Sequence, residues 1–162
     1  MEKNFVESFA VSQQRRIDAD QMRDHFESVL GSYEQVFEKF FLAKLIGLEF
    51  EYLPLEAADA DKEVSRLTFT VNEMLMNPQG TLHGGIMATV MDISMGHLLR
   101  KTIGPGITVE MNTQFLRAAP PGLARAEARF VKKGRSLSFM ESRLWGADDK
   151  LAALTTATWK ML

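Results

Sequence analysis

The chain of 162 residues contains no cysteine, and none of its apolar runs approaches the roughly 20 residues that a membrane-spanning helix needs. The absence of cysteine excludes disulfide bonds, thiolate metal ligands and a cysteine nucleophile. Proline is absent before Pro54, so nothing interrupts a helix in the opening third. Residues 1–16 carry Glu2 and Glu7 among their apolar side chains and therefore lack the apolar stretch of a signal peptide. We expect a cytoplasmic protein.

Charge is distributed unevenly along the chain. The formal net charge is only −2, but residues 1–63 carry a net of −7 and residues 64–162 a net of +5. The basic part suits an anionic ligand, whereas the acidic part offers few cations for nucleic-acid phosphates. Three histidines without any cysteine make a metal centre unexpected. We therefore expect neither a metal nor a nucleic-acid or membrane partner.

Apolar residues of the opening third recur at steps of three and four, which predicts one face of an amphipathic helix. They are Phe26, Val29, Leu30, Tyr33, Val36, Phe37, Phe40 and Phe41. We assign residues 1–44 to an N-terminal helical extension. This helix either packs on its own domain or docks onto a neighbouring subunit, and the sequence leaves both alternatives open.

The remaining residues, 45–162, predict one α+β domain. An apolar helix from Ile86 to about Lys101 is stopped by the Gly104-Pro-Gly106 breaker. One helix cannot cover both faces of a parallel sheet, so an antiparallel sheet that curls around the helix is expected. Strands are predicted at 48–53 and 64–71 before the helix, separated by a loop at 57–62, and at 107–117, 122–132, 136–146 and 150–160 after it.

Candidate chemistry is concentrated at the start and in the middle of this central helix. The segment from Asn77 to His83-Gly84-Gly85 leads into the helix, where free backbone N–H groups bind developing negative charge and glycine admits a ligand. Asp92 lies within the most apolar helix of the chain, and burying a carboxylate costs free energy unless it is paired or used. The alternatives are that the glycines only shape a loop and that Asp92 is exposed.

The ordered set of Asn77, His83-Gly84-Gly85 and Asp92 resembles the hotdog-fold acyl-CoA thioesterases of the phenylacetic-acid-degradation type. The similarity extends through 106–112, 115–122 and 131–136, and so covers roughly residues 45–160. The resemblance implies a hotdog fold, in which a long central helix is wrapped by a five- or six-stranded antiparallel sheet. It also implies a homodimer or homotetramer with active sites at the dimer interface.

Individual roles follow from the same resemblance. The Gly84 and Gly85 amides would polarise the thioester carbonyl, with His83 fixing their loop. Asp92 would act as general base or nucleophile. Asn77 would orient the water or the Asp92 carboxylate, and Thr108 would help to hold the water. Coenzyme A is part of the substrate, so no separate cofactor is implied, and its phosphates would meet Arg117, Lys132, Lys133, Arg135 and Ser136.

Several alternatives remain open in the sequence. Glu110 lies two residues after Thr108 and would share its face in a simply alternating strand, which makes it a rival to Asp92. The leading prediction is hydrolysis of an acyl-CoA thioester. The alternatives are a hotdog hydratase or dehydratase acting on a 2-enoyl thioester, and a non-catalytic acyl-CoA-binding regulator that uses the N-terminal helix to reach a partner.

Overall fold

The structure is a computed structural model, and it describes residues 18–53 and 63–162. The loop predicted at 57–62 lies outside the described residues. The helices of the described part are α1 (Ala19–Ser32), α2 (Phe41–Ile46) and α3 (Gly84–Thr102), with a short 3-10 helix at Glu73–Leu75. The strands are β1 (Glu49–Leu53), β2 (Val64–Val71), β3 (Gly106–Phe115), β4 (Gly122–Lys132), β5 (Leu137–Trp145) and β6 (Leu151–Met161).

The six strands form one antiparallel sheet in the order β1-β2-β4-β5-β6-β3. Its concave face wraps α3, whose Val90, Met91, Met95 and Leu99 are fully buried. The predicted α+β fold, a long central helix wrapped by an antiparallel sheet, is therefore confirmed. No helix in the described ranges is long and apolar enough to cross a membrane.

Small residues on the central strands allow the sheet to close around the helix. Ala124, Ala126 and Ala128 of β4 alternate along the strand and are fully buried on the helix side. The residues between them point to the other face of the sheet, where Glu127 accepts a hydrogen bond from Arg66 of β2 at 2.8 Å. The period of two thus separates the apolar core from a charged outer surface.

The prediction of one amphipathic helix through the aromatic residues 26–41 is wrong beyond Ser32. Tyr33 adopts an extended conformation, and Glu38 has a positive φ of 75°, so the chain turns before α2 begins. This turn lets Phe41 pack edge to face on Phe26 and Tyr33, at centroid distances of 5.7 and 5.5 Å. In a continuous helix, positions 26 and 41 would be about 22 Å apart. Steps of three and four do not distinguish one helix from two that fold back on each other.

The described part of the extension, from residue 18 onward, contacts its own chain. Val29 of α1 is buried, and Phe37 and Phe40 contact the ring of His97 on α3 at centroid distances of 5.0 and 6.1 Å. Phe37 and Phe40 thus pack on their own domain. The alternative, docking of the extension onto a neighbouring subunit, stays a prediction. The boundary predicted after residue 44 falls within α2 and stays a prediction.

Candidate active site

His83 caps the start of α3. Its Nδ1 accepts a hydrogen bond from the Gly85 N–H at 3.0 Å, and its carbonyl oxygen accepts from the N–H groups of Ile86 and Met87 at 3.0 and 3.1 Å. Among the described residues, Gly84 is the one member of this first turn whose N–H has no acceptor. The histidine therefore occupies the Gly85 amide and leaves the Gly84 amide as the available donor.

Asn77 organises the loop that precedes the helix. Its Oδ1 accepts from the backbone N–H groups of Gln79 and Thr81 at 3.0 and 3.2 Å, and its Nδ2 donates to Thr81 Oγ1 at 3.0 Å. The loop is closed where the His83 N–H donates to the Leu75 carbonyl at 2.9 Å. Within one chain, the side chain of Asn77 is thus engaged with its own loop rather than with Asp92.

Asp92 is half-buried in the middle of α3, and its Oδ1 accepts a hydrogen bond from Thr108 Oγ1 of β3 at 2.8 Å. Burial raises the pKa of the Asp92 carboxyl, and the hydrogen bond from Thr108 partly opposes this by lowering it. The contact between Thr108 and Asp92 was not predicted, and the role predicted for Thr108, to help hold the water, stays a prediction. Gly84 lies eight residues earlier, about 12 Å away along the helix axis, so one chain does not bring the carboxylate to the free amide.

A β-bulge in β3 turns Glu110 away from the Asp92 carboxylate. In the pairing of β3 with β6, Thr108 lies opposite Trp159 and Glu110 lies opposite Thr158, so Val109 is the extra residue. The inserted residue reverses the alternation, and Glu110 lines a cleft on the outer face of the sheet with Thr158. The expectation of a shared face for Thr108 and Glu110 is wrong, because it assumed a strand without a bulge.

The same strand contacts both ends of the candidate site. Thr108 near the start of β3 holds Asp92, and Phe115 at its end packs against the helix start, where a Cβ added to Gly84 would lie 3.4 Å from Phe115 Cε1. β3 is an edge of the sheet and most of its residues are exposed, including Val109 at 58%. A long exposed edge is a template for pairing with another strand.

The residues predicted to contact coenzyme A lie at opposite ends of the sheet. Lys132, Lys133, Arg135 and Ser136 belong to the β4–β5 hairpin, whereas Arg117 follows the far end of β3, where its N–H donates to the Ala152 carbonyl at 3.2 Å. Lys133 pairs with Glu63 at 3.3 Å. Lys132, Arg135 and Arg117 are exposed. One chain therefore does not gather all five residues.

Sequence reasoning missed a cavity of about 460 Å³ on the Asp92 side of α3. Asp92 and Gly96 line it from the helix, Trp159 from β6, and Val36 and Phe37 from the N-terminal extension. The extension was predicted to be one regular helix, so the sequence could not place its residues opposite this face of α3. The turn of the chain after Ser32 brings Val36 and Phe37 to the side of the cavity opposite α3.

Known proteins share this architecture. A family model described as the thioesterase superfamily matches residues 79–153. One relative is a Saccharolobus solfataricus protein named as a candidate esterase, and it is 30% identical to this chain over 116 residues. The matched residues cover 70% of this chain and 73% of that protein. The chain belongs to the thioesterase superfamily. Mouse acyl-coenzyme A thioesterase 13 is 32% identical over 92 residues, 55% of this chain and 64% of that protein.

Solved structures agree with this assignment to the thioesterase superfamily. A phenylacetic-acid-degradation-related protein of Ralstonia eutropha is 26% identical with a TM-score of 0.66, over 85% of this chain and 99% of that one. A Bacillus halodurans protein solved with CoA has a TM-score of 0.75 at 20% identity, over 93% and 97% of the two chains, and shows the fold. The resemblance to hotdog thioesterases of the phenylacetic-acid-degradation type is confirmed, and membership of this family supports a hydrolase activity.

Proposed function

We propose that the protein hydrolyses acyl-CoA thioesters to a free carboxylic acid and CoA, with Asp92 as the reacting carboxylate. The observation that favours this most strongly is the half-buried Asp92, held at one oxygen by Thr108 on the central helix of a thioesterase-superfamily fold. The substrate class is supported by a relative named acyl-coenzyme A thioesterase and by a structural neighbour solved with CoA.

A second copy of the chain completes the site in this proposal. Thr108 and Phe115 both face the helix side of β3, because each is paired with a buried residue of β6, Trp159 and Ala153. Antiparallel pairing of two β3 edges about a two-fold axis near residues 111–112 sets Thr108 of one copy opposite Phe115 of the other. Asp92, which contacts Thr108, then approaches the partner's Gly84, which contacts the partner's Phe115.

The chemistry follows from these groups. The thioester carbonyl oxygen accepts a hydrogen bond from the Gly84 N–H at the positive end of α3, which stabilises the oxyanion of the tetrahedral intermediate. Asp92 either removes a proton from the attacking water or attacks the carbonyl carbon to form an anhydride that water then opens. In both routes the C–S bond breaks and CoA leaves. The hydrogen bond from Thr108 occupies Oδ1 of Asp92 and leaves Oδ2 of Asp92 for the reaction. His83 and Asn77 fix the loop that presents Gly84.

The same two-fold pairing also joins the separated basic residues. It reverses β3, so Arg117 of one copy comes to the end of the sheet that carries the partner's β4–β5 hairpin. Lys132 and Arg135 are the exposed cations of that hairpin, and together with Arg117 they offer charge for the CoA phosphates. Ser136 adds a hydroxyl donor, and Lys133 contributes from its pair with Glu63. No cofactor is required, because CoA enters with the substrate.

Release of free thiol from a panel of acyl-CoAs tests the proposed activity. We expect multiple turnovers by the intact protein without added cofactor. Absorbance of a 2-enoyl-CoA followed in parallel separates hydrolysis from hydration, because hydration removes the conjugated double bond without releasing thiol. Hydration without thiol release would favour the hydratase, and tight binding without turnover would favour the regulatory protein. Either result would contradict the proposal.

Removing the Thr108 hydroxyl is expected to shift the pH dependence of the reaction. The hydroxyl lowers the pKa of Asp92, so Thr108→Val raises that pKa further and moves the acid limb of the pH–kcat profile to higher pH. Thr108→Ser keeps the hydroxyl and is the matched control. An acid limb at the same pH in the Val variant and the wild type would show that Asp92 is not the group that must be ionised.

A further inference from the structure

The cavity beside Asp92 has an apolar lining. Its α3 wall carries Asp92 and Gly96, and a Cβ added to Gly96 would lie 2.8 Å from Trp159 Cη2, so the absence of a side chain there lets the indole lie against the helix. Asp92 is the one carboxylate among the lining residues. The volume of about 460 Å³ falls within the range of small-molecule pockets. The cavity is thus an apolar space with the proposed reacting group at its side.

The facing wall comes from the N-terminal extension. We call it the N-terminal wall, and it consists of Gln35, Val36, Phe37, Phe40 and Leu42. The family model begins at residue 79, so these residues lie outside the segment that it matches. A pocket wall that lies outside the segment matched by the family model can contribute to substrate preference independently of that segment.

Hydrogen bonds and ring contacts hold the N-terminal wall in place. The Tyr52 hydroxyl donates to Glu38 Oε1 at 3.1 Å and lies 3.1 Å from His97 Nδ1. Because that donation uses the one proton of the hydroxyl, Nδ1 of His97 carries a hydrogen and donates to Tyr52. Burial lowers the pKa of His97 to about 4, so the ring that Phe37 and Phe40 contact is neutral at physiological pH.

We propose that this cavity receives the apolar acyl group of the thioester and that the N-terminal wall limits its length and bulk. The inference rests on the proposed function, because it takes Asp92 as the group that reacts at the thioester carbonyl. The acyl group enters along α3 from Asp92 towards Gly96, with Trp159 on one side and Val36 and Phe37 opposite. Substrate selection is then a property of the extension and not of the segment that the family model matches.

Narrowing the cavity from the N-terminal wall tests this assignment. Val36 is 51% exposed, so Val36→Trp adds bulk at the cavity without disturbing the core. We expect wild-type kcat/KM to rise with straight-chain acyl length by up to about fourfold per methylene until the cavity is full. Val36→Trp should lower kcat/KM for decanoyl-CoA by about tenfold or more, and change that for propionyl-CoA by less than about twofold. Leu42→Trp, from the same wall, should act in the same direction.

Leu30→Trp is the matched control, because Leu30 lies in the same extension and is 49% exposed but does not line the cavity. Its chain-length profile should match that of the wild type, and the thermal midpoints of all three variants confirm folding. Equal losses for short and long substrates, or an unchanged profile in both wall variants, would overturn the inference while leaving the proposed function intact. A wild-type protein that releases no thiol from any acyl-CoA would overturn both.

Discussion

Asp92→Asn is expected to lower kcat for acyl-CoA hydrolysis by at least about 100-fold, which corresponds to about 2.7 kcal/mol of transition-state stabilisation. The amide can neither accept a proton from water nor attack the thioester. Its Oδ1 can still accept the hydrogen bond from Thr108, so the local structure is retained. The variant should also unfold at the same temperature as the wild type or a higher one, because burial disfavours the charged carboxylate that it removes.

The chain supplies a matched control for this loss. Glu110 is the next carboxylate along the chain, but the bulge at Val109 turns it to the outer face of the sheet. Glu110→Gln should therefore keep kcat within about twofold of the wild type. Full activity in Asp92→Asn, or a loss in Glu110→Gln that equals the loss in Asp92→Asn, would remove Asp92 from its assigned role.

Gly84→Pro is expected to lower kcat by about 100- to 1000-fold, the usual loss when one oxyanion donor is removed. Proline deletes the N–H of Gly84 and nothing else that the helix uses, because Gly84 is the first residue of α3 and its amide has no acceptor among the described residues. Proline is favoured at this position of a helix. The preceding His83 already has the extended conformation that proline demands of its neighbour, with φ −64° and ψ 133°.

Gly84→Ala is the control for the added side-chain atoms. Its Cβ would lie 3.4 Å from Phe115 Cε1, a contact that a small shift of the ring relieves, and its N–H remains. We expect Gly84→Ala to keep kcat within about tenfold of the wild type, and steady-state kinetics of both variants make the comparison. Equal losses in the two variants would mean that crowding at Phe115, and not the missing donor, causes the defect.

The central helix and the groups at its start could be predicted from the sequence for local reasons. The Gly104-Pro-Gly106 breaker limits the helix, and His83 followed by two glycines is a local feature of its beginning. Asp92 was recognisable because a carboxylate in an apolar helix is costly unless it is paired or used in a reaction. The structure added that Thr108 donates a hydrogen bond to it. The structure added that His83 occupies the Gly85 amide and so distinguishes the two glycines.

Features that depend on distant pairing could not be predicted. The bulge at Val109 arises from the register of β3 against β6, and no local pattern reports it. The turn after Ser32 depends on Phe41 packing back onto Phe26 and on the contact of Phe37 with His97 of α3. The N-terminal wall of the cavity follows from that turn, so it too was beyond local reasoning.

Mixed dimers measure most directly whether Asp92 of one copy works with Gly84 of the other. Asp92→Asn and Gly84→Pro chains carrying different tags are co-expressed, and the hybrid is purified through both tags. One of its two sites then holds both defects and the other holds neither, so we expect about half of the wild-type thiol release per dimer, although each parent is nearly inactive. A hybrid no more active than its parents, or a protein that stays monomeric while fully active, would contradict an active site shared between two copies.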